Sequence, residues 1–129
     1  MSFYPCPCCG HLVHEAPPGS FQICPVCGWE DDLVQLRWPG VSGANRYSLI
    51  KAQQAYQESG VVDPEFTPNA RSFDQSWPLE PGFRMITPEF DNFEPEGVMD
   101  AEWPEDRTRL YWWRPFFWRR PGKDADLES

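Results

Sequence analysis

The residues most able to do chemistry are five cysteines, at positions 6, 8, 9, 24 and 27. All five fall in two copies of one C-P-x-C-G string, Cys6-Pro7-Cys8-Cys9-Gly10 and Cys24-Pro25-Val26-Cys27-Gly28, with Cys8 at the variable position of the first. Cysteines at i and i+3 of a tight turn aim both sulfurs at one point. The proline sets the backbone of the turn, and the glycine permits an exit in which backbone N–H groups face the sulfurs. Two such knuckles supply a tetrahedron of thiolates, so Cys6, Cys9, Cys24 and Cys27 are expected to hold one structural Zn2+. The loop between the knuckles is slightly shorter than the common range but has room for a hairpin. Four thiolates close the shell and leave no position for a reacting water, which argues for a structural centre over a catalytic one. No βαβ pattern surrounds either pair, so a thioredoxin-like dithiol fits poorly.

Residues around the knuckles carry two readings each. Cys8 is a free thiol near the metal, or a thiol that exchanges with a ligand or senses oxidants. His11 and His14 are loop residues at the surface, or one of them replaces a thiolate, or His11 donates to a sulfur. Trp29 follows the second knuckle and is expected to shield the metal from water. Glu30, Asp31 and Asp32 can cap backbone or pair with Arg37 or Arg46; alternatively they form a contact patch for a basic partner. Adjacent carboxylates converge badly on one ion, so a second metal is disfavoured.

The elements that must position this cluster are few. Residues 48–58 read as a helix: Ser48 or Asn45 caps it, and Leu49, Ala52, Ala55 and Tyr56 share one face. Gly60 ends it. That face is expected to pack on the knuckles. Residues 21–23, 33–36, 83–86 and 108–113 read as short strands. The fold class is therefore small α+β: an N-terminal zinc ribbon packed on one helix, with a Pro-rich aromatic C-terminal extension. The first module spans residues 1–60, and residues 61–129 form an acidic arm and a basic, aromatic segment packed on it.

Taken together, the two knuckles, the run Trp29-Glu30-Asp31-Asp32, Gly43-Ala44-Asn45 and Ser48-Leu49-x-x-Ala52-x-x-x-Tyr56 resemble the cysteine-rich CPCC family of small bacterial proteins. The likeness covers about residues 4–60. It implies metal binding by Cys6, Cys9, Cys24 and Cys27 and no settled activity. Members of the family resemble cargo of polymorphic toxin loci, where small acidic proteins serve as immunity factors; this is an analogy of context.

The chain has 129 residues, 15 of them proline, and 16% aromatic residues including seven Trp. Proline at this density forbids long helices beyond the middle of the chain. Phe66, Phe73, Trp77, Phe83, Phe90 and Phe93 make the stretch from Pro64 to Pro104 too apolar for a free linker, so it is expected to wrap the domain. Residues 74–106 hold ten carboxylates, Asp91, Glu94 and Glu96 among them, against Arg84 alone. This is a solvated surface, or an arm that enters a basic cleft. Residues 107–120 interleave five arginines with Tyr111, Trp112, Trp113, Phe116, Phe117 and Trp118. Three roles suit that composition: an internal core with its arginines paired to the acidic arm, a protein interface, and a platform for single-stranded bases.

A net charge of −9 repels phosphate backbones and favours basic partners. No long apolar run suggests a membrane span, and the first residues lack the pattern of a signal peptide, so a reducing cytoplasm is expected. No nucleophile–base pairing, phosphate loop or HExxH string is present, and the chain is read as a non-enzyme. The function expected is that of a zinc-bearing immunity protein that binds and neutralises a toxin domain with a basic cleft. The candidate contacts are Glu30, Asp31, Asp32, Asp91, Glu94, Glu96, Trp112, Trp113 and Trp118. The alternative is a zinc-ribbon protein that binds nucleic acid or works in translation.

Overall fold

A computed structural model describes residues 3–64, 77–99 and 101–119. The first knuckle lies inside a hairpin. β1 (Tyr4–Pro5) pairs antiparallel with β2 (Leu12–His14), Tyr4 opposite His14 and Pro5 opposite Leu12, with an irregularity between Tyr4 and Pro5. One edge of this hairpin is continued by the distant half of the chain. The Leu12 N–H donates to Pro78 O at 2.7 Å and the Glu80 N–H to Gly10 O at 2.9 Å, while His11 and Leu79 form an antiparallel bridge. Backbone groups that an edge strand leaves free are thereby satisfied by the C-terminal extension.

Two helices follow. α1 (Leu33–Arg37) lies where the sequence suggested a strand over residues 33–36. Asp32 decides the matter: its Oδ1 accepts from the Val34 N–H at 2.8 Å, and its Oδ2 accepts from the Ala44 N–H at 2.8 Å. A capped first turn is helical, and Leu33, Leu36 and Arg37 then share a face turned inward. α2 (Leu49–Ser59) is the expected helix. Ser48 accepts from the Lys51 N–H at its start, and the Gly60 N–H returns to Tyr56 O at its end. Leu49 and Ala52 are buried as the periodicity requires, and so is Gln53, which the periodicity did not mark. Gln53 joins the two halves of the molecule: Nε2 donates to Pro7 O at 2.9 Å, and Oε1 accepts from the Ile86 N–H at 3.0 Å.

The other expected strands do not form. Of residues 21–23, only Ile23 makes a bridge, to Glu30. Residues 83–86 pair with no strand, because the Ile86 N–H is engaged by Gln53. Residues 108–113 begin as a 3₁₀ turn, Arg107–Leu110, capped by Asp106. The observed class is small α+β: a two-stranded hairpin, two helices and a buried cysteine cluster.

The core joins that cluster to the aromatic residues of the C-terminal half. Trp29, Leu36, Leu49, Leu110, Tyr111, Trp112 and Phe117 are buried, with Trp77, Phe83, Phe93, Trp103, Trp113 and Trp118 packed against them. The rings meet edge to face or tilted: Phe83 with Trp113, Trp112 with Trp113, and Phe93 with both Trp112 and Phe117. Such geometry sets the positive ring edge against the negative face. Phe90, by contrast, is 81% exposed and takes no part. Phe66 and Phe73 lie outside the described residues. Among the described residues no helix is long and apolar enough to cross a membrane.

Candidate metal centre

The two knuckles fold as the same turn. In the first, the Gly10 N–H donates to Cys6 O at 2.7 Å and the Cys6 N–H to His11 O at 2.9 Å. In the second, the Gly28 N–H donates to Cys24 O at 3.0 Å and the Cys24 N–H to Trp29 O at 2.9 Å. Each turn closes through a left-handed residue, Gly10 at φ 82° and Gly28 at φ 92°, a conformation that a side chain strains. Gly10 has a second constraint: the Phe83 ring occupies the space a Cβ would need.

These turns bring Cys6, Cys9, Cys24 and Cys27 together, with every sulfur within 4.8 Å of the others. Cys6 and Cys27 are 3.7 Å apart, and Cys9 and Cys24 are 3.6 Å apart. Those separations are far too long for disulfides, and all the cysteines are free. They suit a metal. Sulfurs about 2.3 Å from a central ion, set tetrahedrally, are about 3.8 Å from one another. The backbone assists, since the Val26 N–H points at Cys24 Sγ at 3.3 Å. Four buried sulfurs in this arrangement fit a tetrahedral thiophilic ion.

The electrostatics agree with the geometry. Burial pushes the Cys6 and Cys27 thiols well up. Hydrogen bonding with Cys24 pushes Cys9 up. Cys24 is pulled down, first by its hydrogen bond with Cys27 and then by those with Cys6 and Cys9. Four buried sulfurs this close resist carrying four negative charges without a cation. A bound dication removes that restriction, which is why such sites release protons on filling.

The surroundings are closed. Trp29 is fully buried behind the second knuckle, and its indole N–H has no partner. Cys8 is buried too, beside Cys27. His14, read as a surface residue, is 1% exposed, with Nε2 unpartnered. It is buried because β2 carries it into the core opposite Tyr4. His11 is half-buried in its bridge to Leu79.

The candidate contact residues have varied fates. Asp31 and Asp32 are buried and bind inward: Asp31 Oδ2 accepts from Ser20 Oγ at 2.7 Å, and Asp32 caps α1. Glu30 exchanges backbone hydrogen bonds with the Asn45 side chain. Neither Arg37 nor Arg46 pairs with this trio. Arg46 binds Asp63, and Arg37 binds Glu94. That second pair has no exposed side-chain surface on either side. Arg37 Nε meets Glu94 Oε1 at 2.6 Å, and Nη2 reaches Glu94 Oε2 at 3.1 Å and Ala101 O at 2.7 Å. The guanidinium lies 4.8, 4.5 and 4.7 Å from the rings of Trp38, Trp103 and Trp118. Glu94 is thus an internal counter-ion, with nothing to offer a partner. No local signal marks this pair, whose members are 57 residues apart.

Asp91 is held by Arg84 and by the Thr87 N–H, whereas Glu96 is exposed. Trp112 is buried and Trp113 and Trp118 are half-buried within the aromatic core. Arg114 pairs with Glu80 at 2.6 Å. Burial alone would raise the Glu80 pKa, but hydrogen bonds from Arg114 and Trp113 outweigh it and hold the carboxyl below its usual range. The basic-aromatic segment therefore turns its rings inward, and Phe116 is its exposed exception. The profile of a family described as Cysteine-rich CPCC matches residues 4–76, more than half of the 129. No curated protein matches the chain.

Proposed function

The chain belongs to the cysteine-rich CPCC family, and on that premise we propose that it is a zinc-stapled protein-binding module without catalytic activity of its own. The observation that carries the reading is the closed set of four buried sulfurs. All four ligand positions of a tetrahedral ion are filled by protein, so the ion has no site for substrate and contributes folding energy. Zinc suits this set as a redox-inert ion with no need of an open position. The net charge of −9 favours a basic partner. In its finer form the reading is an immunity protein, working in the cytoplasm, that covers the basic cleft of a toxin domain. Nucleic acid is the poorer partner. Except for Phe116, the rings that would stack on bases are packed in the core, and Arg114 is engaged by Glu80.

The test is recovery of the tagged, zinc-loaded chain from its host after nuclease treatment, followed by reconstitution with the protein recovered. One stoichiometric protein whose toxicity the chain suppresses establishes the finer reading. A stoichiometric protein without toxicity keeps the binding module and removes the immunity role. RNA recovered only without nuclease contradicts both.

A further inference from the structure

The described surface carries an apolar groove that adjoins an acidic trough at Trp38. The groove, about 340 Å3, is lined by Val34, Trp38, Val41, Gly97, Val98 and Met99, without a charged side chain. Val34 is 44%, Val98 42% and Met99 56% exposed. Single exposed aliphatic residues are ordinary, but several meeting in one concavity mark a site of contact. The one strong donor among these side chains is already engaged, since the Trp38 indole N–H donates to Val98 O at 3.2 Å. That bond also ties the 97–99 loop to the end of α1. A second trough of about 300 Å3 shares Trp38 and runs past Gly40 to Asp91, Glu94 and Glu96.

Neither lining contains Lys or Arg. Of the three carboxylates in the trough, Glu94 is neutralised by Arg37 and Asp91 by Arg84. Glu96 is exposed and has no cationic partner among the described residues. Gly40 positions it: the Glu96 carboxylate occupies the space that a Cβ on residue 40 would fill. An apolar slot thus opens onto a carboxylate without a counter-ion, in a molecule of net charge −9. Its complement is an apolar side chain followed by a cation.

We propose that this groove is the docking surface for the partner protein. It takes a segment that places an aliphatic or aromatic side chain between Val34, Val98 and Met99 and an Arg or Lys beside Glu96. The proposal rests on the protein-binding reading above, and it replaces the buried carboxylates as the point of contact.

The experiment is selection of random displayed peptides on the full, zinc-loaded chain, followed by affinity measurement at two salt concentrations. Binding is compared with Val98→Asp, Met99→Asp, Glu96→Lys and the exposed control Glu58→Lys. Each variant is first checked for zinc content and near-ultraviolet circular dichroism. The expected peptides pair an apolar anchor with Arg or Lys. They lose about tenfold or more in affinity to Val98→Asp and Met99→Asp. Glu96→Lys weakens them and flattens their salt dependence, and Glu58→Lys leaves them unchanged. Equal binding to all variants overturns the groove and leaves the protein-binding reading standing. Self-association of the wild-type chain, abolished by Met99→Asp, overturns it in favour of a second copy as occupant. Failure to select any peptide, with only RNA recovered from the host, overturns the groove and the protein-binding reading together.

Discussion

At the scale of single residues, two buried groups of side chains set the chemistry of the interior, the four sulfurs and the Arg37–Glu94 ion pair. Cys6, Cys9, Cys24 and Cys27 converge because each pair is fixed by a local turn, so a five-residue string carries the geometry. Arg37 and Glu94 converge through tertiary packing alone, and neither string names the other. Their pair is buried between three indoles, and this sets the consequence of breaking it. Glu94→Ala leaves a guanidinium without its counter-ion and is expected to cost about 3–5 kcal/mol in urea unfolding followed by tryptophan fluorescence. The double variant Arg37→Met with Glu94→Leu is expected to recover most of that loss, because removing both charges also removes their desolvation. A loss under about 1 kcal/mol for Glu94→Ala would show that water reaches the pair.

At the scale of elements, α2 was legible because three independent signals agree: the Ser48 cap, the spacing of Leu49 and Ala52, and the Gly60 stop. Ser48→Ala removes the oxygen that accepts from the Lys51 N–H and is expected to cost about 1 kcal/mol in the same unfolding assay. The short elements were not legible. A string such as Leu33-Val34-Gln35-Leu36 suits strand and helix alike, and the decision falls to Asp32, whose two oxygens hold the first turn and residue 44 at once. Residues 83–86 look like a strand by composition, yet the hydrogen-bond partner of Ile86 is a glutamine on α2. The expectation that the basic-aromatic segment is internal holds for its large rings. The pairing of its arginines with the acidic arm holds for Arg114, which takes Glu80, while Arg109 and Arg119 donate to the backbone at Phe116 and Asn92.

At the scale of the whole molecule, the cysteine cluster and the C-terminal aromatics form one core. Tyr111 links them, its hydroxyl donating to Pro5 O at 3.0 Å just before the first knuckle. Burial raises the Tyr111 pKa well above the ordinary 10.0. A raised folded pKa means that the folded state holds this proton more tightly than the unfolded chain. Its stabilisation is complete below pH about 10 and is lost as pH rises further. Tyrosinate absorbance of Tyr111 should therefore appear together with loss of near-ultraviolet circular dichroism, not before it. In Tyr111→Phe the alkaline fall in stability should be shallower, although that variant begins about 1 kcal/mol weaker for want of the hydrogen bond. Independent ionisation of Tyr111 in a folded protein would place its ring nearer to solvent than the structure does.

A shared core also predicts that the two halves depend on one ion. Removing the metal with a chelator should loosen the packing of Trp29 and Tyr111 as well as the knuckles, because both rings lie in the core that includes the four sulfurs. The most direct test of the central claim is X-ray absorption at the zinc edge, with metal content, on protein purified without added metal. One zinc per chain is expected, with four sulfur neighbours at about 2.3 Å and no nitrogen or oxygen ligand. A shell with fewer than four sulfurs, or a protein that carries another metal or none, would contradict it.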